Sequence, residues 1–195
     1  MKNLDKFYIN GSWVKPQSTD LFPIKNPANE EVLGHIVLGT ESDVNIAVLA
    51  ANRAFKGFSE TSKLERLDLL KRLRSITESR ISELAEAMSL EMGAPITMAR
   101  EAQADAALGH LDGFIEALSN MGSSEDLSNG DVIVKEPIGV CGLITPWNWP
   151  INQITLKVLP ALATGCTCVL KPSEHTPLSA LLYSEFIHEA GYPAG

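Results

Sequence analysis

Lys171 and Glu174 lie just beyond an apolar run, Thr167–Leu170, that reads as a strand. In an open α/β sheet ligands bind outside the carboxyl ends of the strands, so this pair is a candidate ligand contact; the competing reading is a solvated loop pair. Ile144, Thr145, Pro146 and Trp147 close an earlier apolar run in the same way, and Pro172 and Ser173 complete the second loop. Lys157 is the lone charged side chain between Pro137 and Leu170. Burial would lower its pKa and fit it for proton transfer, whereas snorkelling would carry the ammonium to the surface. Asn148 precedes Trp149-Pro150, a favoured arrangement for a helix N-cap. Trp149, Asn152 and Leu156 share one helical face at spacings of three and four, which core packing explains for the Trp and the Leu better than for the Asn. Cys141, Cys166 and Cys168 offer thiols, but Cys166-Thr167-Cys168 with His175 and His188 lacks structural-zinc spacing. The cysteines read as structural and no metal is assigned.

Local signals outline the elements that must position these groups. Asn10-Gly11 between Phe7-Tyr8-Ile9 and Ser12-Trp13-Val14 predicts a hairpin. A Pro-punctuated stretch, Phe22-Pro23 and Asn26-Pro27, leads to a strand over 32–37. Thr40 with Asp43 resembles a helix start, and Ser62 with Glu65 has capping-box spacing before Leu64, Leu67, Leu70 and Leu73. A continuation with Ile81, Leu84 and Met88 stops at Gly93-Ala94-Pro95, and another helix is expected from about Ile96 to Leu118. Asn129-Gly130 marks a second turn, beside a strand at Val132–Val134. Beyond it, 140–145 reads as a buried strand, 150–164 as a helix closed by Gly165, and 167–170 as a second buried strand. Thr176 is then the expected cap of a helix with Pro177 in its first turn and Gly191 at its end. The order β-α-β-α implies parallel strands with right-handed crossovers, in a sheet that looks incomplete.

Composition narrows the function classes. The chain has 195 residues, 16 Lys+Arg and 24 Asp+Glu, a net charge of −8, which disfavours phosphate backbones and anionic lipid surfaces as partners. Hydrophobic residues at 45% and charged residues at 21% suit a globular chain. Residues up to Glu136 carry 14 basic and 21 acidic side chains, a net of −7. The twenty residues from Pro137 to Leu156 carry none, long enough to raise a membrane span, but Pro146, Asn148, Pro150, Asn152 and Gln153 interrupt it. Burial on all sides, as in a parallel sheet, is the remaining reading. Three cysteines and no secretory leader pattern point to a reduced, cytoplasmic setting.

Leu143-Ile144-Thr145-Pro146-Trp147-Asn148-Trp149-Pro150 resembles the aldehyde dehydrogenase superfamily. So do 157–165, with Leu159-Pro160-Ala161 and Thr164-Gly165, and Val169-Leu170-Lys171-Pro172-Ser173-Glu174-His175-Thr176-Pro177. Tyr8-Ile9-Asn10-Gly11-Ser12-Trp13-Val14 and Asn26-Pro27-Ala28 extend the likeness over essentially the whole chain. The resemblance implies an α/β fold: a partial Rossmann-like cofactor-binding domain with N-terminal hairpin and helices in 1–121, an oligomerisation-type strand segment in 122–137, and the first β-α-β-α of the dinucleotide-binding sheet in 138–195, truncated.

The resemblance also implies roles. Asn148 would donate its amide to the oxyanion formed when a thiolate attacks an aldehyde, a task for which a neutral, fixed donor is suited. Lys171 and Glu174 would contact the adenosine ribose, with Ile144, Thr145, Pro146, Trp147, Pro172 and Ser173 completing the cofactor contact. A carboxylate there would repel a 2′-phosphate and favour NAD, with Lys171 offsetting part of that and leaving NADP open. Lys157 matches a lysine regarded as part of a proton relay in betaine-aldehyde relatives, and Trp149, Asn152 and Leu156 match positions lining the substrate passage. Relatives carry an Asp near a monovalent cation where Glu91 stands, but Met92-Gly93-Ala94-Pro95 departs from that motif. The family's nucleophilic Cys and general-base Glu are not found here. The expected activity is that of the N-terminal part of an enzyme oxidising an aldehyde to a carboxylic acid with NAD(P)+ through a Cys thiohemiacetal, as a homo-oligomer in its full-length form. The competing reading is a catalytically inactive cofactor-binding or assembly fragment.

Overall fold

Asn10 and Gly11 turn the chain at φ of 53° and 72°, the left-handed pair that a two-residue hairpin needs to match the twist of its strands. They join β1 (Phe7–Ile9) to β2 (Ser12–Val14) in antiparallel register. The structure, a computed structural model, describes residues 3–195. A second hairpin pairs β3 (Leu21–Lys25) with β4 (Val32–Val37), with a bulge at Ile24/Lys25. Pro23 hides β3 from a sequence reading because it cannot donate to a ladder; in a two-stranded pair it is tolerated as an edge residue. Ile24, fully buried, packs this hairpin against Ala87 and Leu178.

The helices begin where the capping signals place them. α1 (Glu41–Ser59) and α2 (Lys63–Ser79) each open with a reciprocal capping box, Thr40 with Asp43 and Ser62 with Glu65. α3 (Ile81–Met92) ends at Gly93, whose φ is 79° and whose Cβ position lies 2.6 Å from Pro27 Cγ, so a side chain there meets both strain and a clash. The single helix expected from Ile96 divides into α4 (Ile96–Met98), a π-helical turn (Ala99–Ala104) and α5 (Asp105–Asn120). The wider turn lets Ala99, Gln103 and Ala104 all face inward, where each is fully buried.

β5 (Ser124–Asp126) and β6 (Val132–Val134) form a third hairpin in which every residue is exposed. β7 (Val140–Ile144) then leads through α6 (Pro150–Ala163) to β8 (Thr167–Lys171) and α7 (Leu178–Glu189). The strands are parallel, in register from Val140↔Thr167 to Ile144↔Lys171, as the β-α-β-α order predicts. Two expectations need correction. β7 and β8 are not buried on all sides: Ile144 is 75% exposed and most of both strands is half-buried, because among the described residues no third strand flanks the pair. Thr176 is not the cap of α7 either. The cap falls one residue later, at Pro177, and among the described residues the Thr176 hydroxyl has no partner.

The core lies among α2, α3, α5, α6 and α7, around Leu73, Leu84, Leu111, Leu159 and Phe186. Arg80, between α2 and α3, closes over it. Its guanidinium lies 4.4 Å from the centre of the Phe186 ring and pairs with Glu83, Glu185 and Glu189. The first hairpin is tied to the far end of α7 by Tyr8 Oη and His188 Nδ1, 2.8 Å apart. Among the described residues no helix is long and apolar enough to cross a membrane.

Candidate functional site

The two loops singled out by sequence meet at the carboxyl ends of β7 and β8. Ile144 pairs with Lys171 at the end of the ladder, and Thr145 N–H donates to the Lys171 carbonyl at 3.2 Å. That bond sets Thr145, buried, and Pro146, Trp147 and Asn148, all exposed, beside the loop that begins with Lys171. Lys171 Nζ donates to Glu174 at 2.8 Å, and this bond holds the Glu174 carboxyl below the usual glutamate range. Such an exposed pair contributes little to stability, so exchanging it for ligand hydroxyls costs little. Ser173 shapes the loop: its hydroxyl accepts from His175 N–H at 3.3 Å and its carbonyl from Thr176 N–H at 3.2 Å. Lys171, Pro172, Ser173 and Glu174 line a cavity of about 360 Å³ whose opposite walls come from β1, α1 and α7.

Asn148 does not cap α6. The N-cap is Trp149, no side chain caps the helix, and among the described residues the Asn148 amide has no hydrogen-bond partner. It is exposed beside the Thr145–Trp147 loop, leaving both of its N–H donors uncommitted. Lys157 is half-buried on α6 and donates back to Gln153, at 3.0 Å to Oε1 and 3.4 Å to the carbonyl. Among the described residues it pairs with no carboxylate. Trp149 and Asn152 are half-buried and Leu156 is exposed, an open face along the start of α6.

His110, on α5, is a neighbour the sequence gave no reason to place here. Its Nδ1 lies 2.8 Å from Thr155 Oγ1, and the Thr155 hydroxyl donates its proton to the Ile151 carbonyl. The hydroxyl therefore accepts from His110 Nδ1–H, and burial lowers the pKa of the imidazole. Two of the thiols are held in the protonated form. Burial pushes Cys168 up to about 12, and burial together with the neighbouring Cys166 raises Cys141.

Glu91, to which the sequence assigned no role once the cation motif was seen to depart, holds a position that carried a signal of its own. Spaced seven from Leu84 and three from Met88, it falls on the buried stripe of α3. Its carboxylate accepts from Leu178 N–H, from Ser179 N–H at 3.0 Å and from the Ser179 hydroxyl. Burial nonetheless pushes the carboxyl up to about 7 from its ordinary 4.5, outweighing the three bonds that lower it. The folded chain thus holds this proton more tightly than the unfolded chain does. The resulting stabilisation is complete below about pH 4.5 and is lost as pH rises through 7. Between pH 5 and 8.5 the loss from this group is on the order of 2 kcal/mol. A falling urea midpoint over that interval is the expected result, and Glu91→Gln should flatten it; the same slope in the variant would refute the assignment.

Known proteins share the sequence and fold of this chain. A model of the aldehyde dehydrogenase family matches residues 13–195. A 3-succinoylsemialdehyde-pyridine dehydrogenase from a Pseudomonas species is 50% identical over the whole chain, which spans 41% of that protein's length. Among solved structures, aldehyde dehydrogenase C from Pseudomonas syringae, a mutant complexed with NAD+ and octanal, superposes with a TM-score of 0.95 at 47% identity, over 98% of this chain and 39% of its own. A betaine aldehyde dehydrogenase from Staphylococcus aureus in complex with NAD+ gives a TM-score of 0.91 at 33% identity, covering 98% of this chain and 40% of its own.

Proposed function

Because the chain belongs to the aldehyde dehydrogenase family, we propose that it forms the cofactor-contacting and oxyanion-donating part of an enzyme that oxidises an aldehyde to a carboxylic acid with NAD+. The observation that carries this reading is the bond between Thr145 N–H and the Lys171 carbonyl, which fuses the two motif loops into one rim at the carboxyl ends of the parallel strands.

The residues present fit a dinucleotide. Lys171 and Glu174 are bonded to each other in the lining of the cavity, a donor and an acceptor ready to re-pair with ribose hydroxyls. Pro172 and Ser173 line it with them, while Ile144, Thr145, Pro146 and Trp147 lie outside that lining, in the adjoining loop tied to Lys171 by Thr145 N–H. When bound, the nicotinamide cofactor supplies the hydride acceptor. Asn148 donates to the aldehyde oxygen as negative charge develops on it, and being neutral it does so without competing for a proton. Trp149 and Leu156 offer apolar contact to the aldehyde chain and Asn152 a polar one, in keeping with the octanal bound to the Pseudomonas syringae relative. Lys157 follows Leu156 directly and is bonded to Gln153 one turn back, so relay of a proton would require release from Gln153. Burial favours the thiol at Cys141 and Cys168 and Cys166 is itself buried, so none of the three is offered as the attacking thiolate and the 195 residues alone should produce no NADH from aldehyde. The exposed hairpin of β5 and β6, with Val132, Ile133 and Val134 open, serves association between subunits of the enzyme.

Calorimetric titration of the chain with NAD and NADP tests the cofactor reading. Glu174→Ala removes the charge-assisted acceptor and should weaken NAD about tenfold or more while affecting NADP less, because the carboxylate that repels the 2′-phosphate is gone. Equal effects on the two cofactors would exclude a ribose contact for Glu174.

A further inference from the structure

Glu91 joins two elements that are distant in sequence. It sits in the last turn of α3, and its carboxylate is the acceptor for the first turn of α7, 87 and 88 residues away. Leu178 and Ser179 are 4% and 0% exposed, so their amides have no solvent to turn to. Pro177, the N-cap, has no side-chain acceptor, and the partnerless Thr176 hydroxyl contributes none. A buried amide without an acceptor keeps the full cost of leaving water, so these donors depend on Glu91. The connection from β8 to α7, residues 172–177, hangs between two fixed points. At one end Lys171 is held in the β ladder, and at the other Leu178 is held by Glu91. Between them, among the described residues, the loop is held by the bonds around Ser173 and by the exposed Lys171–Glu174 pair.

We propose that Glu91 is a positioning residue for the cofactor-contacting loop: by accepting from the first two amides of α7, it fixes where the Lys171–Glu174 pair is presented. The functional half of this inference rests on the reading that the pair contacts the cofactor; the geometric half does not. A role in holding α7 for general stability would look different. It would weaken every helix together, whereas positioning weakens the loop first and cofactor affinity with it.

Amide hydrogen exchange, followed by mass spectrometry at pH 8, separates the two, alongside NAD titration well below the unfolding temperature. Glu91→Gln keeps the side-chain size but sets an NH2 group against amide donors. It is expected to speed exchange in peptides spanning 172–180 about tenfold, to leave peptides from α2 and α5 unchanged, and to weaken NAD by a similar factor. Ser179→Ala keeps both amide donors and deletes only the hydroxyl, so it should fold even where Glu91→Gln does not and show a smaller change of the same pattern. Unchanged loop exchange in both variants overturns the proposal, and so does a uniform rise across all helices. Loop-confined exchange in a chain whose wild type binds no NAD would uphold the positioning by Glu91 and overturn the cofactor reading instead.

Discussion

Asn148→Ala is expected to lower turnover by about 10²–10³-fold while changing NAD affinity by less than about threefold. The measurement needs a catalytically complete enzyme, which a chimera can supply: this chain followed by the remainder of the Pseudomonas 3-succinoylsemialdehyde-pyridine dehydrogenase, with which it is 50% identical. The asymmetry follows from where the amide stands. Asn148 is exposed at the rim and has no protein partner among the described residues, so its removal deletes a donor without breaking a cap, opening a cavity or loosening α6. Only an interaction that strengthens as charge develops on the aldehyde oxygen is then lost, and such a loss appears in turnover. Asn148→Asp should be at least as damaging, since it sets a negative charge where another one forms. Equal losses in turnover and NAD affinity would show that Asn148 organises the cofactor loop rather than donating to an oxyanion.

The largest expected loss of stability follows from Phe186→Ala, about 3–5 kcal/mol, or a fall in melting temperature of roughly 10 °C. Phe186 is fully buried where α7 meets α2 and α3, and its ring supports the Arg80 guanidinium. Truncation leaves a ring-sized void and removes the surface over which Arg80 lies, although that residue's bonds to Glu83, Glu185 and Glu189 survive. Those pairs are partly exposed and hold little of the energy. Urea unfolding monitored by circular dichroism gives the number. Leu64→Ala, at a site 71% exposed, is the matched control and should stay within about 0.5 kcal/mol. A loss below about 1.5 kcal/mol for Phe186→Ala would mean that the surrounding helices collapse into the void.

Much of the fold was legible because its signals are local. The capping boxes at Thr40 and Ser62, the turn at Asn10-Gly11 and the stop at Gly93 each involve groups within a few residues of one another, so residue type alone decides them. The parallel pair was legible for another reason: a strand, a helix and a second strand in close succession admit few arrangements. The failures were equally physical. β3 was hidden by Pro23, and the π-helical turn was invisible because helical periodicity does not reveal one extra residue in a turn. β7 and β8 read as fully buried from their apolar character, yet burial depends on neighbours that composition does not contain.

The candidate site divides along the same line. Residue types alone supply the chemical groups: an amide at 148, a cation and an anion at 171 and 174, and their family motif. Tertiary structure decided which of those groups are free and what holds them. It left Asn148 out of the cap that its type favours, turned Lys157 back onto Gln153, and set the start of α7 on a carboxylate from α3. A side chain's nearest competitors for hydrogen bonding within four residues can be read along the chain. An acceptor 87 residues away exists only once hydrophobic packing has brought α3 and α7 together, and burial then gives Glu91 both its partners and its raised pKa.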